Sequence, residues 1–383
     1  MVKGLLKAIA LYALLLLVIP FALLEGICRL LPVASPPPLQ PVTPADPIAH
    51  FTPNTEYVYS AGWNFAIRSR KRTNNYGFNN IADYRPGEKT PLFMVIGDSF
   101  VEAHEVDAGK SAAELLNARL GGRGRVYSIG LSGAALPQYL ATAEYACRTF
   151  KPEALAFFII SNDFDESLLK YNQDPQLHHF DEQGRLVPAR YELPSAKRVL
   201  RHSAFIRYVM YNMVSGARLN QIRLWLRGPA PVAVAQAATA EERLHDSRRA
   251  VDYFLAQIPE RCGLAPSAIL FVLDAVRPAI YSAATLKAAT ETSYHARMRA
   301  YLGAEAKARG YELLDLQPVF IERHARDGAR FEFPTDSHWN SLGHQVVADE
   351  VRKSATYGRL FNAAGGVVHT AGASQVSPDT RAR

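Results

Sequence analysis

The chain has 383 residues, with 43 Lys and Arg against 36 Asp and Glu, for a formal charge of +7. A hydrophobic fraction of 48% and a charged fraction of 21% exclude a largely disordered chain, a collagen-like fibre and a disulfide-dense miniprotein. A mean hydropathy of -0.08 excludes a polytopic membrane protein but can hide one apolar segment. The basic excess suits anionic partners without choosing among them. The three cysteines, Cys28, Cys147 and Cys262, form no C-x-x-C pair and are expected to be unpaired.

The first predicted element is an apolar anchor. Lys3 and Lys7 precede an uncharged run of 17 residues from Ala8 to Leu24. A membrane-spanning helix needs about 17–25 apolar residues. No small-x-small cleavage site follows at Glu25-Gly26-Ile27-Cys28, so an uncleaved transmembrane helix over 1–31 is expected rather than a signal peptide. Positive-inside logic puts the short N-terminus in the cytoplasm and the body outside it. Eight of the 24 prolines fall between Pro32 and Pro53, so 32–90 reads as a Pro-rich spacer and N-terminal extension.

From residue 91 the chain alternates. Apolar runs at 91–96, 126–129, 154–160, 268–273 and 312–316 read as buried strands, with helices expected at 111–120, 138–149, 293–309 and 341–353. That alternation predicts an α/β fold with a central parallel sheet of about five strands and helices on both faces. In such sheets ligands bind outside the carboxyl ends of the strands. About 100 residues, 164–265, are inserted between the third and fourth strands. Within them 197–227 carries seven Lys and Arg and no acid, interleaved with apolar residues. A core-packed helix with a solvated basic face, contact with anionic lipid, and docking of an acidic glycan all remain open for this stretch. Nucleic acid is not expected outside the cytoplasm. The tail, 356–383, is expected to be disordered.

Polar residues gather at the predicted strand ends: Gly97-Asp98-Ser99 after the first, Gly130-Leu131-Ser132-Gly133 after the second, and Ser161-Asn162-Asp163 after the third. Asp336-Ser337-His338-Trp339 precedes the last helix. A serine hydroxyl needs an adjacent base, and an imidazole base needs a carboxylate to orient it. Ser99, His338 and Asp336 supply these three groups. Ser99 and Gly133 N–H and the Asn162 amide could face an oxyanion. Asp98 reads as a structural cap, and His344 as a packing residue. His104 could line the pocket. The Asn74 to Phe78 stretch reads as a tight turn at Gly77.

Over about 91–355 these blocks resemble the SGNH (GDSL-like) hydrolase family, particularly its membrane-anchored members. The resemblance implies a three-layer α/β/α sandwich and an ester hydrolase with Ser99 as nucleophile and His338 as base. It gives Gly133 and Asn162 as oxyanion residues and implies no cofactor or metal. Two departures stand out. The family usually shows Asp-x-x-His, and here Thr335 holds the usual acid position and the spacing is Asp-x-His. Ile160 stands where the third block normally has Gly. The spacing with Trp after His is similar to SGNH-like polysaccharide O-acetyltransferases. The expected partner is therefore an acylated carbohydrate, with hydrolysis or transfer of an acetyl group as alternatives. A glycan-binding or assembly protein keeping the fold is the non-enzymatic rival.

Overall fold

A computed structural model describes residues 11–12, 14–213, 239–281 and 292–361. Its centre is a parallel sheet of five strands: β3 (Leu92–Gly97), β4 (Arg125–Gly130), β5 (Ala154–Ile159), β8 (Ile269–Leu273) and β9 (Glu312–Asp315), in the order β4-β3-β5-β8-β9. The remaining strands form three antiparallel pairs: β1 (Glu56–Ala61) with β2 (Ile67–Arg72), β6 (His179–Phe180) with β7 (Leu186–Val187), and β10 (Glu332–Phe333) with β11 (Asp336–Trp339).

Every residue of β3 and β5 is buried. A strand covered on both faces reads as a continuous apolar run, because successive side chains feed opposite sides. Leu92, Met94 and Ile96 of β3 and Leu155, Phe157 and Ile159 of β5 enter one core. Helices Leu136–Thr149, Ala240–Cys262 and Tyr294–Ala308 cover that core. Phe93, Val95, Ala156 and Phe158 enter the other core, under helices Ala112–Leu120, Leu316–Asp327, Ser341–Lys353 and Ala355–Phe361. Each buried Phe contributes roughly 1.5–3 kcal/mol, so the three-layer sandwich is held by its two faces together. The expected strands and helices agree with this sheet to within about two residues at most ends. The long helix Ala240–Cys262 occupies the end of the insertion, and Cys147 and Cys262 meet as free thiols.

Two expectations change, and two fall partly outside the described residues. The segment 32–90 is not a spacer: Val42, Ile48, Ala49, Phe78 and Tyr84 belong to the first core, and β1–β2 is a hairpin on the body. Helix Ala355–Phe361 buries Tyr357 and Phe361 at the start of the expected tail, and 362–383 lie outside the described residues. The anchor is described only in part, since 1–10 and 13 lie outside. Its visible portion is a π-helical turn Leu14–Val18 and an α-helix Ile19–Leu30. Twelve residues at 1.5 Å span about 18 Å against a hydrocarbon core of ~30 Å. Among the described residues no helix is long and apolar enough to cross a membrane. Of the basic stretch, Arg218, Arg223 and Arg227 also lie outside the described residues.

Candidate active site

The chain enters the sheet at β3, places β4 on one side, and returns to put β5 on the other. The carboxyl end of β3 is thus the topological switch point, where loops from neighbouring strands diverge and leave a crevice. Ser99 sits there, opening the helical turn Ser99–Glu102. Asp98 caps that turn by accepting from Phe100 N at 2.9 Å. Gly130 explains how the turn fits. A Cβ there would lie 2.2 Å from Glu102 N and 2.7 Å from the carbonyl carbon of Val101, so only glycine lets β4 pass beneath.

Ser99 Oγ lies 2.7 Å from His338 Nε2. On the other side of the ring, His338 Nδ1 lies 2.5 Å from Asp336 Oδ1. Asp336 Oδ1 also accepts from His338 N at 2.9 Å. The unusual Asp-x-His spacing has a physical reason in β11. Alternate residues of a strand point to one face, so Asp336 and His338 share a face while Trp339 turns inward and is buried. Thr335, the usual acid position, is exposed.

Electrostatics favour the charged imidazolium. Burial lowers the His338 pKa, but the bond to Asp336 and the carboxylates of Glu105, Asp336 and Asp98 outweigh it and raise the value to about 9. Burial alone would raise Asp336; its hydrogen bond to His338 and the imidazolium charge bring it below the ordinary carboxylate value. Burial pushes Asp98 up to about 7, against the Phe100 N–H bond and the His338 charge. Asp163 is raised by burial and by Asp98. It accepts from Tyr139 OH and from Ile160 N, so it is a structural acid under the third loop.

Gly133 and Asn162 follow β4 and β5, the two neighbours of β3, so the topology sets them on either side of Ser99. Gly133 has φ +80°, a conformation that favours glycine. The Asn162 amide donates to Glu166 at 3.0 Å, which fixes its plane and leaves its second N–H. Ile160 is buried in the second core, where the family's glycine would have no side chain to pack.

Three residues of this site were not legible in the sequence. Glu105 is buried, with Oε1 3.5 Å from His338 Nδ1, so the imidazole faces two carboxylates. Tyr59 of β1 stacks its ring on His104 at 5.2 Å, and burial, then the nearby Glu105 charge, push its phenol pKa up. Arg277 binds Asp274 at 3.0 Å and reaches Ser337 O at 3.4 Å, between the two triad residues of β11. Asp274 also accepts from Trp339 Nε1 at 2.9 Å. A cleft of about 900 Å³ opens beside the triad, lined by Arg277, Tyr281, Arg330, Glu332, Asp336 and Ser337.

The remaining expected residues have structural partners. His344 is buried, accepts from Ala112 N at 3.2 Å and is held neutral by burial, which lowers its pKa to about 3. His104 bonds Tyr57 OH at 2.9 Å and Glu102 at 3.2 Å. Gly77, at φ +80°, has Phe51 O where a Cβ would go, and Asn74 Oδ1 closes its turn on Tyr76 N and Phe78 N. Among the described residues, Glu105, Asp336 and His338 are close enough to share a metal ion. Both ring nitrogens of His338 already have partners in the triad, so a cation bound to the ring would have to displace Asp336 or Ser99 from it.

No family model and no curated protein matches this sequence. Solved structures similar to it include a lipase/acylhydrolase from Enterococcus faecalis, 11% identical over 70% of this chain and 97% of the other, with a TM-score of 0.39. A member of the lipolytic G-D-S-L family from Veillonella parvula is 11% identical over 70% and 99%, with a TM-score of 0.36. An acetyl xylan esterase is 11% identical over 69% and 99%, with a TM-score of 0.35. With TM-scores this low, these likenesses do not bear on function, which is argued from the side chains.

Proposed function

We propose that the chain is a serine-dependent ester hydrolase of the SGNH type. The observation that carries this reading is the continuous hydrogen-bonded line Ser99–His338–Asp336 at the switch point of the sheet, with 2.7 Å and 2.5 Å links. His338 Nε2 takes the Ser99 proton as Oγ attacks the ester carbonyl. The resulting imidazolium is stabilised by Asp336 and Glu105, and it returns the proton to the leaving alkoxide. Ser99 and Gly133 N–H and the Asn162 amide face the oxyanion. Water, activated by the same base, releases the acid from acyl-Ser99.

The substrate we favour is an O-acetyl ester on an envelope or exported glycan. It is presented to a body outside the cytoplasm and tethered to the inner membrane by the apolar N-terminal segment. The Asp-x-His-Trp arrangement supports a second reading, transfer of the acyl group to a sugar hydroxyl, since only the acceptor differs. The test uses the purified chain with an aryl acetate and a fluorophosphonate probe, beside Ser99→Ala. Hydrolysis and labelling confined to the unaltered protein are expected; absence of both refutes the reading. Acetylated product on added sugar acceptors would select transfer.

A further inference from the structure

The basic insertion does not stand apart from the apolar N-terminus; the two form one unit. Glu25, on helix Ile19–Leu30, caps the short helix Ala204–Arg207 by accepting from Ser203 Oγ at 2.7 Å, Ala204 N at 3.0 Å and Phe205 N at 2.9 Å. Phe21 packs edge-on against Phe205 at 5.7 Å, and Arg29 reaches His202 O at 3.4 Å. Cys28, Val33 and Ala204 bury one another in a small separate core.

Beside this junction lies a cleft of about 730 Å³. Its polar wall carries Arg198, Arg201, His202 and Arg207, with Glu192 at its edge and Pro36 opposite. Arg201 donates to Pro36 O at 2.9 Å, and Arg207 to Ala34 O at 3.0 Å and Arg201 O at 2.7 Å. These partners are neutral carbonyls. Among the described residues no Asp or Glu pairs with Arg198, Arg201 or Arg207, whereas the part-buried Arg277 and Arg299 each bind an aspartate. Three guanidinium groups thus share a concave site with an unbalanced positive charge. The surrounding surface is apolar: Leu30 is 89% exposed and Val199 69%, and Leu200 and Met213 are exposed as well. At the tip of the β1–β2 hairpin, Trp63 is 73% exposed, held by Tyr208 OH to Trp63 O at 2.7 Å. Exposed tryptophan beside arginines and an apolar helix is the composition of a water–lipid boundary.

We propose that this cleft binds the phosphate of an anionic phospholipid, with the acyl chains lying along helix Ile19–Leu30 and the exposed Val199 and Leu200. The proposal rests on the membrane-tethered reading above. Arg198, Arg201 and Arg207 neutralise the headgroup, and the apolar collar takes the chain ends. A zwitterionic headgroup would bring its own cation into the arginine cluster and lose that advantage.

The test uses the full chain in neutral detergent, titrated with dihexanoyl phosphatidylglycerol, dihexanoyl phosphatidylcholine or inorganic phosphate, with thermal stability as the readout. Phosphatidylglycerol should bind about tenfold more tightly than phosphatidylcholine, and Arg198→Glu should remove about that factor. Among the described residues Arg198 makes no side-chain hydrogen bond or ion pair, so the variant should keep wild-type aryl acetate hydrolysis, and Arg201→Gln gives a second reading. Equal affinity for the two lipids, an equal response to inorganic phosphate, or no change in Arg198→Glu overturns the proposal. Carbonate extraction of membranes tests the tether separately. A chain released by carbonate refutes the tether, whereas a retained chain without lipid preference refutes only the cleft.

Discussion

Glu105→Gln is the most discriminating change at the site, because it removes a charge while keeping the size of the side chain. The separation of 3.5 Å from His338 Nδ1 corresponds to about 1 kcal/mol in water and about 4–5 kcal/mol at an effective dielectric of ~20. Glu105 is one of three carboxylates that together outweigh burial and lift His338 to about 9. After the Asp336 hydrogen bond it is the next cause that raises His338, so removing its charge lowers that pKa. The consequence differs with pH. The general base must be neutral, so activity rises as pH climbs through the His338 pKa. Below that pKa the resting ring and the transition-state ring are both charged, and Glu105 stabilises both equally. Above it, only the transition-state ring is charged. Glu105→Gln should therefore leave kcat/KM for an aryl acetate nearly unchanged at pH 7. It should lower the alkaline plateau about tenfold and move the acidic limb down from about 9. Glu105→Asp should restore part of the plateau. A plateau that falls with the limb unmoved, or a uniform loss at every pH, would refute the electrostatic role and leave only packing.

Three further outcomes follow from the same geometry. Asp336→Asn should cut kcat/KM by about 10³–10⁴-fold; the double change Thr335→Asp/Asp336→Ala, which recreates the Asp-x-x-His spacing, should not restore it, because position 335 is exposed and off the face that His338 shares. Gly130→Ala drives a methyl into the backbone of the Ser99 turn and should cost about 1–3 kcal/mol in urea unfolding, with loss of fluorophosphonate labelling in the folded fraction; unaltered stability and labelling would contradict the packing described. Trp339→Phe leaves the buried Asp274 carboxylate one donor short, though Arg277 still donates to the same Oδ1, and should cost about 1–3 kcal/mol, read by thermal melting.

The sheet was legible because its strands are buried on both faces, so apolar runs such as Leu92–Ile96 and Leu155–Ile160 carry the signal whatever their neighbours do. The β1–β2 hairpin was not. In β2 the inward positions are Ile67, Ser69 and Lys71, so the alternation that betrays a strand is nearly absent. Its polar inward face is satisfied elsewhere: Ser69 Oγ donates to His104 O, and Lys71 is buried among Glu102, Glu105 and Glu114. Helix Leu316–Asp327 was hidden because β9 runs directly into it, with Asp315 closing the strand and capping the helix through Gln317 N at 2.9 Å. At the site, Ser99, His338 and Asp336 could be named because nucleophile, base and acid are scarce side chains at informative places. Glu105 sits six residues past the nucleophile in a stretch with two other acids. Only folding decides which of them turns toward the imidazole: Glu102 turns to Ser132 and His104 instead.

The hairpin also gives the molecule its mechanical logic. At one end of β1, Ser60 meets Asn212 through Oγ and Nδ2 at 3.0 Å, and at the turn beyond, Trp63 is held by Tyr208, so this end is tied to the unit that carries the apolar helix. At the other end, Tyr57 binds Asn79 at 2.5 Å and His104 at 2.9 Å, while Tyr59, next to Ser60, stacks on His104. A strand of six residues spans only about 20 Å. The N-terminal unit is therefore joined to the neighbourhood of His338 through paired backbone rather than a flexible linker. A proline-dense spacer would have let the body drift relative to the apolar helix. The packed extension thus joins the helix Ile19–Leu30 and the Ser99–His338–Asp336 line through ordered structure.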